Sequence, residues 1–168
     1  MRFLLAVKVM LFTLLVPGAV TLYFPYSLLS RTGGNLQIAG LALSIPAAAC
    51  ILIGTAIYLR CAWDFAIKGL GTPAPIDPPK KLVVTGLYRR FRNPMYQGIL
   101  LILVGESVLF LDRGLSLYTV LIAGVFHIFV VFYEEPVLHR RFGASYSDYC
   151  RTVPRWNFTF RAFTPDSA

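Results

Sequence analysis

Charge is what this sequence has least of. Only 14% of its 168 residues are Asp, Glu, Lys or Arg, where a water-soluble domain carries about 25%. With 57% hydrophobic residues and a mean hydropathy of +0.65, the composition excludes an ordinary soluble domain. Acidic residues are the scarcer sign, eight against sixteen basic, for a net charge of +8. Cysteine is also sparse. Cys50, Cys61 and Cys150 form no CxxC pair, which argues against a disulfide framework or a zinc site. No metal is expected. There is no GKS or GKT, and the GLG at residues 69–71 opens no strand–turn–helix unit. Neither a P-loop nor a Rossmann fingerprint is therefore present.

What the chain does have is four long apolar stretches: Val9–Leu29, Leu36–Leu59, Asn93–Leu111 and Gly114–Tyr133. Each approaches the ~20 residues that cross a bilayer. The second contains Pro46, the third Glu106 and the fourth His127. The fold expected is all-α, an integral membrane protein with about four transmembrane helices, a cytoplasmic loop and short C-terminal interfacial helices. It reads as one unit: residues 1–60 hold helices one and two, 61–92 a loop, 93–135 a helical hairpin and 136–168 a tail. Lys8 interrupts the first stretch and its apolar run is long, so it reads as a retained helix rather than a cleaved signal.

Lys and Arg are distributed unevenly among the loops. Fourteen lie at the N-terminus, in the Arg60–Arg92 segment and in the tail, against Arg31 and Arg113 on the other side. The positive-inside rule then puts both termini and the middle loop in the cytoplasm. The basic face suits anionic lipid head groups, and no nucleic acid is needed to explain it. Pro73, Pro75, Pro78 and Pro79 forbid a regular helix in the middle loop, which reads as extended chain over the membrane face.

Only "DRG", residues 112–114, joins the third and fourth stretches. So short a link makes an antiparallel hairpin and brings the start of one beside the end of the other. Asn93 is a suitable N-cap, Pro94 suits the first helical position, and Gly98 lies a turn in, where it would let a ligand approach the backbone closely. A helix start of this kind favours anions. The fourth helix is expected to end at Glu134 and Glu135, ahead of Pro136. Carboxylates at a helix's negative pole call for a cation. An anion-friendly start beside an acidic end would grip a zwitterion. The alternative is that both glutamates pair with Arg140, Arg141 or loop arginines. His127, seven residues before Glu134, would share its helical stripe and is a base candidate with Glu134 and Glu135. It could equally hydrogen-bond another helix. Arg151 and Arg155 are candidates to clamp a carboxylate or an acidic head group, or else to bind lipid phosphates. Glu106 is open to a functional reading or to packing between helices. Tyr146 and Tyr149 share one helical face. Trp156 suits an interface anchor, and the last dozen residues read as frayed.

Two segments carry a resemblance. "GTPAPIDPPKKLVVTGLYRRFRNPMYQG", residues 71–98, and "FHIFVVFYEEPVLHRRFGASYSDYCRTVPRW", residues 126–156, are similar to the isoprenylcysteine carboxyl methyltransferase family in its bacterial form. That family belongs to a wider group with the phospholipid N-methyltransferases. The resemblance runs from about Arg60 to Trp156. It rests on Arg92-x-Pro94-x-Tyr96-x-Gly98, on the Glu134–Glu135 pair, and on Phe142-Gly143 through Tyr146 and Tyr149 to Val153-Pro154-Arg155. Asn93 departs from the eukaryotic members, which usually carry histidine there. The resemblance implies S-adenosylmethionine as cofactor, lined by Tyr88, Arg89, Arg92, Asn93, Pro94, Tyr96 and Gly98 on one side and by Glu134 and Glu135 on the other. His127, Glu134 and Arg151 are then the candidates for catalysis. The acceptor implied is amphiphilic, either the carboxylate of a prenylated compound or a phospholipid amine. An NADPH-dependent membrane reductase of the steroid-reductase type is the rival enzyme, and a membrane assembly module the rival without activity. The paired glutamates weigh against NADPH, whose phosphates prefer cations.

Overall fold

The computed structural model describes residues 2–31, 38–68, 82 and 84–164. The proline-rich segment expected to lie over the membrane face falls almost wholly outside them. Regular structure in the described residues is helical throughout. Helix α1 spans Arg2–Gly18, passes into a π turn at Ala19–Tyr23 and continues as α2, Phe24–Arg31. Helix α3, Leu41–Lys68, runs through Pro46 as one element. A 3-10 turn at Gly86–Arg89 precedes α4, Pro94–Phe110. Helix α5, Arg113–Phe129, leads through a second π turn, Val130–Glu134, into α6, Glu135–Thr152.

Three of these helical stretches are long and apolar enough to cross a membrane: Met10–Arg31, Leu41–Phe65 and Arg113–Thr152. Helix α4 is shorter, at 17 residues, which at ~1.5 Å each reaches about 26 Å, close to the hydrocarbon thickness. Leu14, Leu15, Leu52, Leu117, Val120, Leu121 and Phe132 are exposed on the outer faces, as lipid contact requires. The chain is an all-α integral membrane protein.

The seam between α3 and α4 is built from small residues. Ala47 and Gly54 are seven residues apart in α3, and so are Gly98 and Gly105 in α4. Seven residues is nearly two turns, so each pair lies on one stripe. A Cβ on Gly54 would sit 2.6 Å from the Gly98 carbonyl oxygen, and one on Gly105 would sit 2.7 Å from that of Ala47. Backbones that approach so closely gain dispersion contact that bulkier residues would prevent. Around this seam Tyr58, Cys61, Phe65, Met95, Ile99 and Leu103 form the larger buried cluster.

Both π turns end two residues before a proline, Pro25 in one case and Pro136 in the other. Proline offers no N–H, and its ring crowds the carbonyl four residues back. A widened turn relieves that crowding. The N–H groups of Phe24 and Glu135 reach the carbonyls of Ala19 and Val130, five residues back. The first turn is held further by the Tyr118 hydroxyl, which donates to the Val20 carbonyl at 3.0 Å.

Two expectations are corrected here. The fourth helix does not end at Glu134 and Glu135. The π turn accommodates Pro136, so the chain stays helical past the glutamates and bends only at Gly143, whose φ of 51° suits a residue without a Cβ. The glutamates are therefore not at a helix's negative pole. Nor does the last dozen residues fray from its start. The Thr159 N–H bonds the Arg90 carbonyl at 3.1 Å, and the Phe163 N–H bonds the Arg89 carbonyl at 2.9 Å. The Phe158 ring packs at a tilt against Phe91, 5.2 Å away, and lies under the Arg90 guanidinium. A second buried cluster, Val84, Tyr146, Tyr149 and Val153, joins α6 to the segment before α4.

Candidate functional site

Asp112 caps α5 by accepting from the Leu115 N–H at 2.7 Å, which makes the α4–α5 turn tight. The hairpin then carries the first turn of α4 to the far end of α5, as its short link requires. The contact there is direct: the Tyr96 hydroxyl donates to Glu134 Oε2 at 2.7 Å, and the Tyr96 ring packs on Phe126 at 4.8 Å. The apolar stretch Gly114–Tyr133 is already long enough to cross a bilayer, so the two glutamates lie just beyond it.

The glutamates differ. Arg155 holds Glu135 with two bonds, Nε to Oε1 at 2.7 Å and Nη2 to Oε2 at 2.8 Å, and Arg92 Nη1 adds a third at 3.2 Å. Burial alone would raise the Glu135 carboxyl. The Arg155 hydrogen bond, with the charges of Arg92 and Arg155, outweighs that and holds it below the ordinary carboxylate value. Glu134 has no such partner. Among the described residues no Lys, Arg or His pairs with it, and Tyr96 is its hydrogen-bond donor. The ion pairing weighed as an alternative thus applies to one glutamate and uses Arg92 and Arg155, not Arg140 or Arg141.

Tyr88 lies within electrostatic reach of Cys61, Glu134, Tyr149 and Tyr96, and its ring meets Phe65 edge-on at 5.9 Å. Burial, reinforced by those neighbours, pushes its phenol well above the usual range. Arg92 gives Nη1 to Glu135 and to the Cys150 sulfur, while its Nε is buried without a partner. Among the described residues, the site therefore holds a carboxylate with no cation and a guanidinium N–H with no acceptor.

The other expected residues make the following contacts. Asn93 precedes α4 but makes no side-chain cap; its amide donates to the Arg155 carbonyl at 3.1 Å. Pro94 is buried at the first helical position. The bare side of Gly98 faces α3, where an added Cβ would meet the Gly54 carbonyl oxygen at 2.8 Å, so it opens no path to a ligand. Arg89 Nε donates to the Phe163 carbonyl at 2.8 Å. Arg151 is exposed and pairs with Asp148 at 3.4 Å, on the outside of α6 and away from the glutamates. His127 accepts from the Trp156 indole N–H at 3.1 Å and is exposed. The π turn adds a residue between His127 and Glu134, so their spacing does not put them on one stripe.

The tail, which supplies the candidates Arg155 and Trp156, is tied to the site largely through its backbone. Asn93, Gln97 and Arg92 bond the carbonyls of Arg155, Trp156 and Pro154 through Nδ2, Nε2 and the backbone N–H. The tail so lies across the start of α4. Asp64 and Gly86 were missed: Gly86, at φ 60°, sits where a Cβ would be 2.5 Å from Asp64 Oδ2. A buried acid in an apolar helix was the signal available for that contact.

A family model described as phospholipid methyltransferase matches residues 42–145, more than half of the chain. The chain belongs to the phospholipid methyltransferase family. No curated protein and no solved structure matches it. Family membership implies methyl transfer to a lipid-like substrate. The matched span contains Tyr88, Arg92, Tyr96, Glu134 and Glu135 and stops short of Arg155 and Trp156.

Proposed function

We propose that this member of the family transfers a methyl group from S-adenosylmethionine to an amphiphilic acceptor, the carboxylate of a prenylated compound or a phospholipid amine, at the cytoplasmic face of a bacterial inner membrane. The observation that carries the reading is Glu134, a carboxylate beside Tyr96 with no cation among the described residues. Burial raises the Glu134 carboxyl above its ordinary value, so its charged form is costly until a positive group completes it. Glu134 binds the ammonium of the methyl donor, and the unpartnered Arg92 Nε is the donor available to its carboxylate. The rings of Tyr88 and Tyr96 offer faces to a positive centre. S-adenosylmethionine supplies an electrophilic methyl group on a sulfonium sulfur.

The work left to the chain is alignment and exclusion of water. In-line displacement needs the attacking atom about 3–3.5 Å from the methyl carbon and opposite the departing sulfur. An acceptor that is already an anion asks for no base. An amine acceptor must lose one proton to a base. The tail bonded to Asn93 and Gln97 shields this end of α4 from solvent.

The test is cofactor binding to the detergent-purified full chain. S-adenosylmethionine binds and NADPH does not. Replacing Glu134 by Gln removes the charge and weakens S-adenosylmethionine binding roughly tenfold or more. Wild-type affinity in E134Q, or tighter binding of NADPH, would end this reading.

A further inference from the structure

Glu134 and Glu135 are adjacent, yet one is saturated with arginine and the other is left open. They sit where a π turn meets α6. The π form is rare and less favourable than α, so it needs a cause. Pro136 is one cause, because it supplies no N–H. Glu135 is the other, and its partners are anchored elsewhere. The backbone N–H of Arg92 bonds the Pro154 carbonyl at 3.4 Å. The carbonyl of Arg155, twenty residues along the chain from Glu135, is held by the Asn93 amide at 3.1 Å. The clamp so ties the last turn of the π segment to the start of α4, the element that carries Tyr96. Were the turn to tighten to α geometry, the residues after it would rotate by about 100°, one residue's worth of helix. Glu134 would then leave Tyr96.

We infer that the Glu135–Arg155 pair is a positioning clamp, which keeps the π turn in register so that Glu134 faces Tyr96, and which does not itself touch the methyl donor. This rests on the reading of Glu134 as the ammonium-binding carboxylate. It assigns unlike roles to two adjacent glutamates. It also gives a tail arginine outside the family-matched span a part in donor binding.

A double-mutant cycle tests it. S-adenosylmethionine affinity is measured by calorimetry on the full chain in lipid nanodiscs, for wild type, E134Q, R155M, E134Q/R155M and R155K. E134Q and R155M each weaken binding by about tenfold or more. The double variant binds about as weakly as E134Q alone, because the clamp acts through Glu134. R155K recovers part of the loss, since lysine keeps the charge without the two-pronged geometry. If R155M does not fold, R155K and E135D carry the same cycle. Losses that add in the double variant place Arg155 on the ligand and overturn the clamp. Wild-type affinity in R155M overturns it too. So does a variant in which chymotrypsin cleaves faster at the exposed Phe160 while affinity is unchanged, for that is a tail anchor alone. Wild-type affinity in E134Q instead removes the ammonium reading, and the clamp's purpose with it.

Discussion

A carboxylate's function is decided by its second neighbour. Glu134 and Glu135 are neighbours of one residue type, but Arg155 and Arg92 neutralise only Glu135. Spacing along the chain could not show this. It made the two acids equivalent and sought their partners among Arg140, Arg141 and the loop arginines, of which Arg92 does reach Glu135 while Arg140 and Arg141 are exposed. The arginine that matters is twenty residues away and returns only because the helix bends at Gly143. The ion pair has a pH signature. The folded Glu135 carboxyl lies below its ordinary value of 4.5. A depressed acid stabilises fully above the unfolded value, and the contribution is lost as pH falls through the lowered one. The melting midpoint of the wild type should therefore fall more steeply below about pH 4.5 than that of E135Q, which lacks the pair from the outset. Circular dichroism melts in one detergent at a series of pH values measure both slopes. Parallel slopes would mean that the clamp contributes nothing to stability.

Helices meet where their side chains let them. The α3–α4 seam was open to sequence reading, although the heptad spacing of Ala47 with Gly54 and of Gly98 with Gly105 went unused. Gly98 was taken instead as a gap for a ligand, because a glycine one turn into a helix looks like an approach to its backbone. In the structure that gap is filled by α3. The hairpin was legible, since a three-residue link admits one arrangement. The π turns were not legible, because the proline that occasions each also occurs in kinked or broken helices. Replacing Gly54 by Ala puts a methyl 2.6 Å from the Gly98 carbonyl oxygen, and backbone cannot swing aside as a flexible side chain can. Overpacking of this kind costs about 1–3 kcal/mol. G54A should lower the thermal midpoint by several degrees. Gly124, where an added Cβ meets nothing within 4 Å, serves as the control. An unchanged midpoint in G54A would mean that the two helices lie farther apart than described.

Taken whole, the molecule gathers its polar chemistry at one end of an apolar bundle. Tyr88, Arg92, Tyr96, Glu134, Glu135 and Arg155 meet there. The opposite end has the Asp112 turn and few charges. The same end holds most of the basic residues, fourteen of the sixteen Lys and Arg by sequence position. Charge bias and site location point to the same side, and Arg92 and Arg155 belong to both. If that side is cytoplasmic, a charged, membrane-impermeant donor added to sealed vesicles can reach the site from one face only, because moving it through hydrocarbon is costly. Methyl incorporation from external S-adenosylmethionine into lipid extractable from the bilayer should then occur with inside-out vesicles. With right-side-out vesicles it should occur only after detergent opens them. The acceptor has no such restriction, for an amphiphile already in the bilayer can reach the site sideways, past the exposed apolar faces of the helices. Equal incorporation in both vesicle types would separate the site from the basic face. It would also remove the cytoplasmic placement, while leaving the Glu134 site to be judged by binding alone.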